Sequence, residues 1–206
     1  MADCVAHVFL AGVTLLAWLG LGSIVLVRMR KVGDPFLDAL NLLGIGAVSF
    51  ALLTLAAGWS RLLYPAAYVP VFALTGLVGA AEAVRRLRGR RLLSLRSWRW
   101  WELCLLGLLV FYVALDLLAV CAPISSPDAL LYHAANPALF EESHRIFEVP
   151  WNSSSYEPFS VEMLVLDGFL LWDSVQGAFA PLLLALVALG AVMGFSWRIA
   201  GRSAAL

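Results

Sequence analysis

Apolar residues gather along this chain into five runs of membrane-crossing length, separated by short polar breaks and one long polar segment. The runs cover residues 5–27, 36–57, 66–84, 100–121 and 174–197. A helix needs about 20 apolar residues to cross the hydrocarbon core. Lipid offers no partner to a bare N–H or C=O, so such runs must be helical. The pattern predicts an all-α fold, a polytopic transmembrane helical bundle of about five spans. Gly33-Asp34-Pro35 reads as a turn into the second span, and Gly44, Gly46 and Ser49 give that span a small-residue face for close packing. Trp59 and Tyr64 fit an interfacial aromatic belt, and Pro70 is tolerated near the end of the third span. Residues 161–172 are apolar but too short to span and are interrupted by Glu162 and Asp167, which predicts an amphipathic helix at the interface.

Charge adds orientation. No cation precedes the first run, whereas Arg28, Arg30 and Lys31 follow it at once, the reverse of a cleaved signal peptide. Seven arginines lie between Arg85 and Arg99, and Arg198 and Arg202 follow the last run. The positive-inside rule then places the N-terminus and residues 122–160 outside and loop 85–99 in the cytoplasm. The basic loop reads as a topology anchor and not as a nucleic-acid site. Residues 1–99 form a three-span region, and residues 100–206 hold an outward span, the outer loop, the interfacial helix 161–172 and the span 174–197. The closing residues resemble the opening of another apolar helix, so the chain is expected to be the N-terminal portion of something longer.

Composition agrees. The chain is 62% hydrophobic and 14% charged, against about 25% charged in ordinary soluble domains. Its three cysteines, Cys4, Cys104 and Cys121, show no metal-ligand spacing. They read as small apolar packing residues, although Cys4 and Cys121 both fall near the outer face, where a disulfide is open to them.

The polar segment 122–160 carries Asp128, Glu141, Glu142, Glu148 and Glu157, with His133, His144 and a single cation, Arg145. Ser125-Ser126-Pro127 reads as a helix start at Asp128. Asp128 and Tyr132 then share a face at i and i+4, and His133 points elsewhere. Pro137 is expected to kink or end this piece, with a second short helix over 140–146. Asp128 reads either as an N-terminal cap or as a functional acid. Asp116, inside the fourth span, reads as functional, as a cap for a neighbouring helix or as reaching interfacial water. The histidines match no HxxxH or HExxH pattern, which argues against zinc, and no phosphate loop or nucleophile elbow is present.

The segment SSPDALLYH, the proline-bracketed stretch ending YEPFSVEML and the span closing in WRIAGR together resemble the GT-C superfamily of polytopic glycosyltransferases. The likeness is to the bacterial branch related to protein O-mannosyltransferases and lipid A aminoarabinose transferases, and it covers about residues 100–206. On this resemblance Asp128 and Tyr132 stand where the family has its first loop acid and tyrosine. Ala129 stands where many members have a second acid, and Glu157-Pro158 stands at the charged turn where the aminoarabinose branch commonly has Lys.

The resemblance implies a bacterial inner (plasma) membrane enzyme. It would move a sugar from a polyprenyl-phosphate-linked donor to a glycan, lipid or protein acceptor at the outer face. It makes Asp128 and Tyr132 catalytic, and His133, Arg145, Glu157 and Asp116 substrate-binding. It names no certain cofactor besides the lipid-linked sugar substrate, though a divalent metal is compatible. The competing readings are a non-enzymatic membrane protein, either a transporter subunit or an assembly scaffold, and a lipid-linked glycan ligase or polymerase. A transporter is expected to show broken helices and an internal repeat, and the sequence shows neither.

Overall fold

The computed structural model describes residues 2–27, 34–88, 98–122, 127, 130, 133–152 and 160–201. In chain order these form α1 (Ala2–Val25), α2 (Pro35–Trp59), α3 (Pro65–Leu87), α4 (Trp100–Val120), α5 (Ala135–Ser143), α6 (Ser160–Leu171) and α7 (Ser174–Ala200). The protein is an all-helical membrane protein. Helices α1 to α4 and α7 are long and apolar enough to cross a bilayer, at the five places the hydropathy pattern predicts.

Helix α1 is the hub, packed along both α2 and α3. Apolar side chains gain nothing by leaving lipid for one another, so spans associate where small residues let backbones approach. Four glycines do this around α1. A Cβ on Gly46 would strike the carbonyl of Trp18, and one on Gly79 the carbonyl of Leu16. Gly20 faces the Thr75 carbonyl and Gly22 that of Leu42 in the same way. Gly44 meets open space, so the small face expected on α2 narrows to Gly46. These close approaches bury Trp18 against Phe50 and Phe72, whose rings lie 4.5 Å apart.

At the end of the bundle that begins the basic loop, Asp34 caps α2 by accepting from the amides of Phe36 (2.8 Å) and Leu37 (3.1 Å). Buried Glu82 there pairs with Arg85 (2.5 Å) and Arg86 (2.6 Å). Arg86 also donates to the Pro35 carbonyl at 3.2 Å, fastening α3 to the start of α2. Arg86 is therefore a structural tie between α3 and α2.

The opposite end carries the long polar segment. Pro137 lies in the first turn of α5, a single helix, and does not end one. First-turn amides have no intrahelical acceptor, so a proline there costs no hydrogen bond. The helix stops instead at His144, in the left-handed region at φ 55°. The chain then runs against the α2–α3 connection: Ile146 N donates to Gly58 O (3.1 Å), and Leu63 N to His144 O (3.4 Å). Phe140, Val149 and Leu63 are fully buried beneath it. The segment is a cap seated on the bundle.

Helix α4 stands apart. It packs chiefly on α7, only Glu102 along it is buried, and Trp98 meets Trp197 edge-on at 6.2 Å. A Cys4–Cys121 disulfide, Cα–Cα 5.6 Å, ties its far end to the start of α1. The pairing read only as open in the sequence is thus made, and Cys104 is the free cysteine. Alkylation of the SDS-denatured protein should label one thiol without reductant and three after reduction; three labels without reductant would contradict the bridge.

Candidate functional site

Helix α6 is where polar chemistry enters the bundle. Residues 161–172, interrupted by Glu162 and Asp167, are expected from sequence to form an amphipathic helix at the interface. Instead Glu162, Met163, Leu164, Val165, Leu166, Asp167, Gly168 and Leu170 are all buried. An amphipathic helix on the interface leaves one face to water, whereas burial here runs around the circumference. Four elements enclose α6: α7, α2, α5 and, more lightly, α3. The approach to α7 is backbone on backbone, for a Cβ on Gly168 would strike Gly177.

Each acid of α6 finds a partner on another element. The Glu162 carboxylate lies 2.6 Å from His133 Nδ1, joining the long polar segment to α6. That imidazole is 46% exposed while the carboxylate is nearly covered, so the pair sits at the boundary between cap and core. Asp167 is 2% exposed, and its Oδ1 lies 2.5 Å from Thr54 Oγ1 on α2. Thr54 in turn contacts the Tyr68 hydroxyl on α3 and its own helix's Phe50 carbonyl, the latter at 2.9 Å. Burial pushes the Asp167 carboxyl well above the usual carboxylate range, partly offset by the Thr54 and Tyr68 hydrogen bonds.

A second polar string begins close by. Gln176 Oε1 lies 3.4 Å from buried His7 Nδ1, and His7 Nε2 lies 3.5 Å from half-buried Asp173. Asp173 also caps α7 by accepting from Gln176 N at 2.9 Å. The start of α1 is thereby fixed to the start of α7, beside the disulfide.

Of the residues singled out from sequence, Asp128, Tyr132 and Glu157 lie outside the described residues. His133 is held by Glu162. Arg145 is exposed, with its guanidinium 5.6 Å from the centre of the Phe147 ring. Asp116 is exposed on α4. His133, Arg145 and Asp116 thus go to three different places. Among the described residues no three His, Cys, Asp or Glu side chains come together as a metal-binding group, and no step is assigned to a metal. The sequence reading overlooked Thr54 and Tyr68, and it put Asp167 on an amphipathic helix at the interface. The available signal was the spacing of Glu162 and Asp167: five residues at 100° each puts them about 140° apart, too far for one polar face.

The chain matches no protein-family model, no curated protein and no solved structure.

The raised Asp167 pKa makes stability depend on pH. A carboxyl that holds its proton more tightly folded than unfolded favours the fold below the unfolded pKa, about 4. That contribution is lost as pH rises through the folded value. Between the two, only the folded state holds the proton, so stability should fall by up to ~1.4 kcal/mol per pH unit. Asp167→Asn should remove that slope. Melting temperatures of both proteins in micelles, from pH 4 upward, check this; parallel curves would refute it.

Proposed function

We propose that this chain belongs to a membrane glycosyltransferase that moves a sugar from a polyprenyl-phosphate-linked donor to an acceptor at the outer face. The observation that carries the reading is the seating of the outer segment. Residues 133–152 are fastened to the α2–α3 connection, and His133, five residues beyond Asp128, is held to α6 by Glu162. A segment that must meet a lipid-anchored donor and a surface acceptor has to be held at the membrane boundary, and fixed neighbours keep its reacting groups aligned.

In this reading Asp128 is the general base. It takes the acceptor hydroxyl's proton as that oxygen bonds to the anomeric carbon. The bond from the carbon to the phosphate oxygen breaks, and the electron pair leaves with the polyprenyl phosphate. Tyr132 orients the base or the acceptor. Arg145, exposed on the cap, is suited to the donor phosphate. His133, Glu157 and Asp116 complete the substrate contacts.

The proposed sidedness puts the N-terminus and residues 122–160 outside a bacterial plasma membrane and residues 85–99 in the cytoplasm. Two features support it. The Cys4–Cys121 disulfide belongs in an oxidising compartment, and Arg85 and Arg86 close α3 at the opposite end.

The alternative is a non-enzymatic scaffold or transporter subunit, and one feature favours it. Helix α4 exposes nearly its whole length, including Leu108, Phe111 and Leu118, as a helix would that docks further spans.

The discriminating experiment replaces Asp128 with Asn and assays transfer from a panel of polyprenyl-phosphate sugars in membranes. Loss of about 10²-fold or more, at normal expression, is expected of a missing general base. Unchanged transfer would remove Asp128 from the mechanism, and no transfer by the unsubstituted protein would favour the scaffold.

A further inference from the structure

The contacts around Thr54 can be counted in protons. A threonine hydroxyl has one proton to give and two lone pairs to receive with. The Phe50 carbonyl, 2.9 Å away, and Asp167 Oδ1, 2.5 Å away, are both placed to accept that one proton. Given to the Phe50 carbonyl, it leaves the contacts with the Tyr68 hydroxyl and Asp167 Oδ1 to be bridged by protons of their own. Tyr68 has a proton to give; Asp167 has one only as the neutral acid. With its proton on Oδ1, the other oxygen, Oδ2, is a carbonyl acceptor that needs a donor.

Oδ2 is fully buried and has no hydrogen-bond partner among the described residues, and the same is true of Trp18 Nε1 on α1. Both residues line one cavity between α1, α6 and α7, together with Thr14 and Gln176. The space open to the centre of a water molecule there is about 10 Å³, enough for one water. An indole N–H left bare in a protein interior is destabilising, and so is a bare carbonyl oxygen. One water answers both, accepting from Nε1–H and donating to Oδ2. A metal cation would suit the oxygen but oppose the N–H dipole. The residues lining the cavity bring no cation to Asp167, and its neighbours from α2 and α3, Thr54 and Tyr68, are neutral hydroxyls.

We propose that this cavity is a binding site for one water molecule, held between Trp18 Nε1 and a protonated Asp167, whose proton is donated to Thr54. The site is independent of the glycosyltransferase reading. It makes the centre of the bundle a stored proton, at a site where α1, α2, α3 and α6 meet. The burial that raises the Asp167 pKa acts in the same direction.

The test is infrared spectroscopy of the whole protein in lipid at neutral pH. A carbonyl stretch of a protonated carboxylic acid should appear, should move when the aspartate carboxyls carry ¹³C, and should be lost in Asp167→Asn. If that variant fails to fold, the isotope shift in the unsubstituted chain still establishes that a protonated aspartate is present. Trp18→Phe should keep the band but shift it to higher frequency, because the water loses its second anchor. An O–H stretch from an immobilised water should shift in H₂¹⁸O and disappear in the same variant. Absence of the acid band, a band indifferent to Trp18→Phe, or a band that moves when choline replaces sodium would overturn the proposal, the last in favour of a bound cation.

Discussion

A carboxyl group carried into an apolar interior has to be bonded there, because stripping it of water without compensation costs several kcal/mol. Asp167 is the residue on which this requirement falls. Its partners come from two other helices, Thr54 on α2 and Tyr68 on α3. Meeting them fixes the depth and rotation of α6, and much else follows from that placement. Gly168 is brought against Gly177, so α6 and α7 close into a tight antiparallel pair. Glu162 is presented to His133, and α5 settles over α6 with Phe140 beneath it. A helix too short to cross the membrane thereby becomes the piece that joins the long helices to the polar cap.

The hub around α1 makes room for this arrangement. Glycine contacts hold α2 and α3 close to α1, and the string Gln176–His7–Asp173 fixes α7 at its start. Polar and small residues, not bulk hydrophobicity, do the specifying, as expected where lipid and side chains are equally apolar. Helix α4 shows the contrast. Its Gly107 meets open space, its buried Glu102 sits in the first turn and accepts from the Arg99 amide at 2.7 Å, and its ends are tied by the disulfide and the Trp98–Trp197 contact.

The five spans were legible in the sequence because the bilayer imposes one length and one secondary structure on any apolar run. The small-residue face of α2 was legible in kind, but which glycine makes the contact depends on the crossing point with α1, a tertiary fact. Pro137 misled because its effect depends on whether it falls in a first turn or in a helix interior, and the start of α5 carries no capping side chain to mark it. Helix α6 misled for a deeper reason. Acids in a short apolar stretch usually mean an interfacial helix, and the hydroxyl that meets Asp167, on Thr54, lies 113 residues away in sequence. For the candidate site, His133 was visible as a loop histidine, but its carboxylate partner lay in a helix read as separate from the loop.

The placement of α6 is the claim on which the rest of the account turns, and cysteine scanning from Ser160 to Leu171 measures it directly. Each single-cysteine variant, in a background without the native thiols, would be exposed to a water-soluble and then to a lipid-soluble maleimide in intact membranes. The account predicts that positions 162–168 and 170 resist both reagents, because protein surrounds them, while positions 160 and 161 react. A periodic pattern, with the faces bearing Glu162 and Asp167 labelled from water and the opposite face labelled from lipid, would show an interfacial helix and contradict it.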